Sequence, residues 1–310
     1  MKRFLEREEG AGYRDGAKRR LSMAGMEAAM GVIKSRAVRR ITWVRGVIAA
    51  AVVVAAFLPI LFLGAATDPD ILWKIVHGKC VMDEKTFGHP APCARVDLAG
   101  GYAILKDIVG QTQYLLIPTT RISGIESPAV LAPATPNFFA EAWGQTPLVA
   151  ARLGHALPRQ DLSLAINSIH GRTQDQLHIH IDCIDPKVAA ALKDHEGAVG
   201  PDWSPFPAML AGTPYEAMRI DGERLGQANP FHLLADRLKG ARSHMGAYTL
   251  VLVGARFEEG RLGVSTPGAS SPGASTPGFI LLAGRARLSA GNVGSGEALQ
   301  DHACRIGRAS

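Results

Sequence analysis

Residues 177–184 read Leu-His-Ile-His-Ile-Asp-Cys-Ile, and apolar and polar side chains alternate as far as Cys183. An alternation of period two is typical of a β-strand, because successive side chains leave opposite faces of the extended chain. One face of this strand then carries four residues that can enter a core: Leu177, Ile179, Ile181 and Cys183. The other face carries a row of polar side chains spaced by about 7 Å: His178, His180 and Asp182. We predict that this row is the active site.

Shorter patterns predict the remaining elements. Strands are expected at residues 101–106, 113–118, 161–167, 247–257 and 278–284. Helices are expected at residues 70–77, 137–153, 186–195 and 230–239. Pro147 should kink or divide the second of these helices, because proline lacks the amide proton that a helix interior requires. The first two strands are separated by a short glycine-containing segment, which predicts a hairpin.

Residues 46–66 form an uncharged run of 21 residues, GVIAAAVVVAAFLPILFLGAA. A helix of this length spans roughly the 30 Å of a bilayer's hydrocarbon. Basic residues precede the run, so we predict a cytoplasmic arm over 1–45, a transmembrane helix over 46–66, and a periplasmic catalytic domain over 67–310, anchored in the inner membrane. The alternative is a signal peptide cleaved near residues 64–66, although the apolar part of a signal is usually only about 7 to 15 residues long.

The basic character of the chain comes from its N-terminal arm. The formal charge is +6, yet residues 1–45 hold 12 Lys and Arg against five Asp and Glu, which leaves a charge of −1 for the rest. Residues 46–310 lack the clustered basic and aromatic side chains of a nucleic-acid surface. We therefore expect no nucleic acid among the partners, whereas the predicted transmembrane helix implies a lipid bilayer.

All four cysteines follow the apolar run. An even number of cysteines in an extracytoplasmic domain favours disulfides, and four cysteines allow three pairings. We predict that Cys80 pairs with Cys93 and that Cys183 pairs with Cys304. Zinc ligation is the competing interpretation, but the chain has no Cys-x-x-Cys spacing, and we predict no metal site.

Residues 265–278 form a five-residue repeat of serine, threonine, proline, glycine and alanine. Such a composition has too little apolar surface to offset the entropy lost on ordering. We predict a disordered insertion between the last two strands.

Two adjacent segments, SLAINS at 163–168 and HGRTQDQLHIHIDC at 170–183, resemble the histidine-triad superfamily of nucleotide hydrolases and transferases. Five shorter segments sharpen the resemblance: GYAILKD at 101–107, YLLIP at 114–118, GIESP at 124–128, TPNFF at 135–139 and QDHAC at 300–304. Together with the predicted anchor they resemble the bacterial CDP-diacylglycerol pyrophosphatases, a membrane-bound family of that superfamily. The resemblance runs from about residue 72 to residue 306.

The resemblance implies an α+β fold, with an antiparallel sheet and helices packed on one side of it. It implies hydrolysis of CDP-diacylglycerol to CMP and phosphatidate, without a cofactor, through a nucleotidyl-histidine intermediate formed on His180. His178 would orient His180, while Asn167 and Gln174 would contact the substrate phosphate. Triad proteins are often dimers, so a homodimer is expected as well.

The chain departs from the triad pattern at Asp182, which stands where the superfamily has a third histidine. A carboxylate beside a phosphate would repel it, which leaves the role of Asp182 open. Arg121 and Arg172 are candidates for offsetting the phosphate charge. Six other histidines have no partner spacing and are assigned to the surface or the core: His89, His155, His195, His232, His244 and His302.

Three other interpretations remain open from the sequence. His-x-His-x-Asp also begins the metal motif of metallo-β-lactamase-like hydrolases, although those continue with Asp-His where this chain has Asp182-Cys183. The enzyme could also be a nucleotidyl transferase, or a pyrophosphatase that acts on another nucleotide-linked substrate. A non-catalytic, anchored nucleotide-binding protein is the third interpretation, and Asp182 is its only support.

Overall fold

A computed structural model describes residues 68–258 and 275–308. The predicted arm and transmembrane helix lie outside these residues. Residues 265–274 of the predicted insertion lie outside them as well. Within the described part of the chain, every helix is too short or too polar to cross a membrane.

A single antiparallel sheet of nine strands organises the described domain, in the order β1-β2-β3-β5-β4-β8-β9-β7-β6. The strands are β1 Arg95–Asp97, β2 Tyr102–Lys106, β3 Tyr114–Pro118, β4 Leu162–Ile166, β5 Ile179–Cys183, β6 Ser204–Pro205, β7 Tyr215–Asp221, β8 Tyr248–Glu258 and β9 Ser275–Arg285. All five predicted strands and the central histidine strand are therefore present. The class is α+β, as expected.

Helices connect and cover the strands. They are α1 Ile71–Ile75, α2 Val81–Phe87, α3 Phe138–Trp143, α4 Pro147–Leu153, α5 Pro186–Asp194 and α6 Pro230–Arg237. The break at Pro147 is confirmed, because α4 begins at that proline. Proline is accepted at the first position of a helix, where its missing amide proton is not needed.

The first helical segment is longer than predicted. A π-helical turn, Val76–Cys80, joins α1 to α2, so that the segment continues to Phe87 instead of ending near His77. It ends at Gly88, whose φ of 64° is the left-handed conformation common after a helix. Cys80 lies at the end of the π turn and forms a disulfide with Cys93. That predicted pairing is confirmed.

Helices cover both faces of the sheet, which corrects the expectation of a single helical side. One face packs in a continuous core against α3, α4 and α6. The other face is covered in two separate patches. The first lies under the helical segment 71–87, and the second lies under α5 and the 3₁₀ turn Glu297–Leu299. Both patches are apolar. Two separate elements cover them, because the sheet is too wide for one helix to shield this face from water.

Three strands were missed, and one begins earlier than predicted. β1 and β6 have only three and two residues, too few for periodicity to be read. β7 pairs with β9 along seven residues. β9 already includes residues 275–278, which the sequence had assigned to the disordered insertion. The β8–β9 pairing explains this, because Ser275 to Gly278 are register partners of residues 255–258.

Candidate active site

The predicted polar row lies in the middle of the sheet. β5 is hydrogen-bonded to β3 on one side and to β4 on the other, and His180 is the register partner of Leu115 and of Ala165. Leu115 belongs to the apolar patch under residues 71–87, whereas Ala165 belongs to the patch under α5. The polar row of β5 therefore fills the gap between the two patches.

His180 is the most enclosed imidazole of the row. It is 4% exposed, and its Nε2 is buried without a hydrogen-bond partner among the described residues. Burial and the nearby His178 and His302 hold the pKa of His180 well below its usual value, so the ring is neutral at pH 7. A neutral imidazole with a free Nε2 can act as a nucleophile.

The other ring nitrogen of His180 has two polar neighbours. Nδ1 lies 2.9 Å from Nε2 of Gln113 and 3.2 Å from Oε1 of Glu297. The amide donates to an unprotonated Nδ1, whereas the carboxylate accepts a proton from Nδ1, so the two neighbours favour opposite tautomers. Glu297 thus favours the tautomer in which Nε2 carries a lone pair.

His178 packs edge-on against His180, with ring centroids 4.8 Å apart. Its Nδ1 donates to the backbone carbonyl of Gln176 at 2.7 Å, which fixes the ring and its tautomer. Burial lowers the pKa of His178 as well. The structure therefore brings the two predicted histidines together as a neutral pair.

Asn167 reaches the site through Glu297. Its Nδ2 donates to Oε2 of Glu297 at 2.7 Å, and its Oδ1 accepts from the backbone amide of Gly296 at 2.8 Å. Both ends of the amide are therefore engaged with the turn that carries Glu297. In this structure Asn167 positions the carboxylate beside His180 rather than facing an open space.

Asp182 is fully buried, and both of its carboxylate oxygens are bonded. Oδ1 accepts from Oγ1 of Thr112 at 2.6 Å and from the backbone amide of Cys183 at 2.9 Å. Oδ2 lies 2.8 Å from Nδ1 of His302. The hydrogen bond to Asp182 raises the pKa of His302, which favours the imidazolium form.

A disulfide fixes the segment that carries His302. Cys183 and Cys304 are bonded with a Cα–Cα distance of 5.2 Å, which confirms the second predicted pairing. The backbone amide of Asp301 also donates to the carbonyl of Cys183 at 2.9 Å. Because Asp182 precedes one cysteine and His302 stands two residues before the other, the cross-link places the two side chains together.

The other three predicted phosphate contacts have different partners. Gln174 accepts from the backbone amide of Leu72 at 3.3 Å and donates to the carbonyl of Asp68 at 3.2 Å. Arg121 is hydrogen-bonded to Asp70. These two residues therefore hold the start of the described chain against the sheet.

Arg172 is buried in an ion pair. Its guanidinium binds both carboxylate oxygens of Glu126, at 2.5 and 2.9 Å, and also contacts Asp175 at 3.1 Å. Its positive charge contributes to the lowered pKa of His178, although burial is the larger cause. The hydrogen bonds of Arg172 are therefore used by carboxylates outside the polar row.

A cavity of about 490 Å³ lies away from the polar row, between the loop that contains Glu126 and the turn that contains His244. Neither His178, His180 nor His302 lines it. The cavity and the cluster of titratable side chains on β5 therefore lie at different places in the domain. We assign the site from the chemistry, because the β5 cluster alone, among the described residues, joins two imidazoles of lowered pKa to a carboxylate and to a third imidazole of raised pKa.

Sequence reasoning missed four members of the cluster: Thr112, Gln113, Glu297 and His302. Glu297 and His302 are more than 110 residues from β5 in the chain, so no local spacing connects them to it. One indication was present, since a Cys183–Cys304 disulfide requires residue 302 to lie near residue 182. The assignment of His302 to the surface or the core overlooked this consequence.

Comparisons with known proteins agree with the resemblance. The model of a family described as CDP-diacylglycerol pyrophosphatase matches residues 67–308. A protein of Yersinia pestis named CDP-diacylglycerol pyrophosphatase is 40% identical over 268 residues, which cover 86% of this chain and 96% of that protein. The chain is therefore a hydrolase of the class that acts on phosphorus-containing anhydrides. More narrowly, it belongs to the CDP-diacylglycerol pyrophosphatase family.

Proposed function

We propose that this protein hydrolyses CDP-diacylglycerol to CMP and phosphatidate, with His180 as the nucleophile. The observation that carries the mechanism is the buried Nε2 of His180, which has no partner among the described residues. Leaving a buried polar atom unpaired costs about 1 to 3 kcal/mol, so such an atom calls for a functional reason. A phosphorus atom of the substrate supplies that reason.

The first step is an attack of Nε2 on the phosphorus that bears cytidine. An N–P bond forms, the bond from this phosphorus to the bridging oxygen breaks, and phosphatidate leaves with the electron pair. Water then attacks the same phosphorus, the N–P bond breaks with its electron pair returning to Nε2, and CMP is released as the water gives up one proton to the solvent. Dividing one difficult displacement into two easier ones is the advantage of covalent catalysis.

Glu297 and His178 prepare the nucleophile. A proton on Nδ1 of His180 is held by Glu297 Oε1, and the lone pair then resides on Nε2, as a carboxylate orients a catalytic histidine in hydrolases. Asn167 holds the other oxygen of Glu297, so its predicted role becomes indirect. His178 packs against the ring and limits its rotation.

The apolar segment at residues 46–66 supports a membrane-anchored enzyme with its catalytic domain in the periplasm. An anchor keeps the active site next to the bilayer, where a diacyl lipid presents its headgroup, and so raises the effective substrate concentration. The two disulfides are consistent with an oxidising compartment. Fractionation of cells, with protease added from the periplasmic side, would test the location.

The intermediate can be trapped with CDP-diacylglycerol labelled in the cytidine. We expect label on the denatured wild-type protein after an alkaline quench, because a phosphohistidine survives alkali, and none on His180→Ala. His232→Gln is the matched control, since His232 lies on α6 beside Asp236 and outside the site. A wild-type enzyme that turns over without carrying label would overturn the covalent route.

A parallel assay with EDTA separates this chemistry from a metal-dependent one. The route through His180 uses no bound cation, so turnover should persist in the chelator. Loss of turnover with EDTA, and recovery with added zinc, would favour the metallo-hydrolase interpretation instead.

A further inference from the structure

Asp182 stands where the triad superfamily has its third histidine, and its geometry rules out a direct contact with substrate in this structure. The side chain is fully buried, and its two oxygens are bonded to Thr112, the amide of Cys183 and His302. Neither oxygen of Asp182 is exposed, and each already accepts a hydrogen bond. The substrate-facing group at this position must therefore be another one.

The partly exposed side chain that is hydrogen-bonded to Asp182 is His302. Its side chain is 28% exposed, unlike the nearly enclosed ring of His180 at 5%. Nδ1 is bonded to Asp182, whereas Nε2 lies 3.9 Å from Oε1 of Glu297, beyond hydrogen-bond distance. One edge of the ring is thus anchored, and the other can donate to a ligand.

The backbone around His302 is also held in place. The backbone amide of Gln111 donates to the carbonyl of His302 at 3.1 Å. Gly110 has a φ of 69°, and a Cβ there would lie 2.6 Å from Cβ of His302, so the β2–β3 loop packs directly against this residue. With the disulfide at Cys304, these contacts fix the ring before any substrate arrives.

We propose that His302 is a catalytic residue that binds the diphosphate of the substrate and stabilises the departing phosphatidate, and that Asp182 is a positioning residue that acts only through it. The proposal rests on the proposed hydrolysis at His180. In effect, the third histidine of the triad comes from the C-terminal segment, while the strand position supplies its carboxylate partner.

The charges of the first step agree with this role. When the bridging P–O bond breaks, its electron pair moves onto the phosphatidate oxygen, and the leaving group gains a negative charge. The imidazolium of His302 hydrogen-bonds this oxygen and keeps its proton, so no proton is transferred in the step. A preorganised donor of this kind typically contributes a factor of about 10² to 10³ in rate.

The groups facing His302 determine its pH dependence. The carboxylates are Asp182, Glu297 and Asp107, and each favours the imidazolium, whereas neighbouring His180 is neutral. The pKa of His302 is raised above about 6.5, so activity should fall as the pH rises through this raised pKa. On the acid side, activity should fall when His180 becomes protonated.

The test compares variants of the full chain by steady-state hydrolysis of CDP-diacylglycerol. We expect His302→Gln to lower kcat by about 100-fold, and His302→Lys to recover part of the loss because it retains a cation. His302→Lys should also lack the alkaline fall until about pH 10, where lysine titrates. His232→Gln, which removes another histidine next to an aspartate, should match the wild type.

Asp182→Asn tests the indirect role. Alone, it should lower kcat by about tenfold and move the alkaline fall to lower pH, because the imidazolium loses its carboxylate partner. Added to His302→Gln, it should cause little further loss, since the two residues act as one unit.

The proposal is wrong if folded His302→Gln retains the wild-type kcat, or if the two substitutions multiply in full. Circular dichroism and thermal melting establish that each variant is folded. The cytidine label on His180 is measured in the same samples, so a missing intermediate in the wild type counts against the proposed route, and a normal kcat in His302→Gln counts against this inference.

Discussion

The two faces of β5 are both buried, but they are stabilised in different ways. On one face Ile179, Ile181 and Cys183 join the continuous apolar core, where packing is the only requirement. On the other face His178, His180 and Asp182 are 8%, 4% and 0% exposed, and each depends on specific partners. The apolar face therefore contributes to folding through packing, and the polar face carries the proposed active site.

Burying the polar face also costs free energy, whereas burying the apolar face does not. Buried imidazoles have lowered pKa values, and Nε2 of His180 has no partner among the described residues. A polar group buried in this way destabilises the fold unless a ligand completes it. Substitutions on the two faces should therefore affect activity and stability in opposite proportions.

The largest effect is expected from His180→Leu. Activity should fall by at least about a thousandfold, because the proposed intermediate forms on His180. The free energy of unfolding should change little, since the unpaired Nε2 is removed from a buried place while Gln113 and Glu297 lose their contact with Nδ1. Hydrolysis and urea unfolding measure the two quantities, and Ile181→Leu on the same strand is the control, expected to be near wild type in both. A large loss of stability in His180→Leu would contradict the proposed difference between the two faces of β5.

The disulfide between Cys183 and Cys304 connects the two faces. It lies on the apolar side, yet it positions His302 on the polar side. Replacing both cysteines by alanine should cost about 2 to 5 kcal/mol of stability and should also lower kcat.

The second disulfide provides the matched control. Cys80 and Cys93 close a loop of 13 residues, against 121 for the other pair. Replacing these two cysteines by alanine should destabilise the domain less, because shorter loops gain less from closure, and should leave the kcat of the folded enzyme unchanged. Equal losses of kcat in both double variants would show that the C-terminal disulfide has no special relation to the site.

Ile181→Ala should have the opposite effect to His180→Leu, with a large loss of stability and little loss of activity. Removing a fully buried side chain should cost about 2 to 5 kcal/mol of stability. The kcat of the folded fraction should remain near the wild-type value, because the side chain points away from His180. Kinetics normalised to the folded fraction, with folding followed in urea, would reveal a coupling between the faces if kcat fell as well.

The smallest effect is the pH dependence of stability. Since the folded-state pKa values of His178 and His180 are lowered, the unfolded chain binds protons below about pH 6.5 that the folded domain does not bind. Stability should therefore decrease as the pH falls from about 6.5, by up to about 1.4 kcal/mol per pH unit for each ring. His302 acts in the opposite sense, because its raised pKa stabilises the fold below about 6.5 and this contribution is lost as the pH rises through the raised value.

Urea unfolding at about pH 7 and about pH 5.5 measures this slope, in a range where most carboxylates stay ionised. His180→Leu removes one of the two rings with a lowered pKa, so its stability should depend less on pH in this range. An unchanged slope would mean that the buried ring is not the source of the dependence.

Much of the fold could be predicted because its patterns are local. Period-two alternation identified β5 and its two faces, and Pro147 located the division between α3 and α4. Both disulfide pairings were also predicted. The patches on the second face of the sheet were missed, since a helical period shows which side of a helix is apolar and not which sheet face it covers.

The candidate site likewise has features that local patterns predict and features that only long-range contacts decide. By itself, the sequence determined the strand, its histidine pair and the family, because these depend on residue types at short spacing. Only the tertiary structure decided that Asp182 bonds His302 and that Glu297 lies beside His180. Those contacts join segments more than 110 residues apart, and they form because sheet pairing and a disulfide bring the C-terminal turn onto β5, which no local pattern encodes.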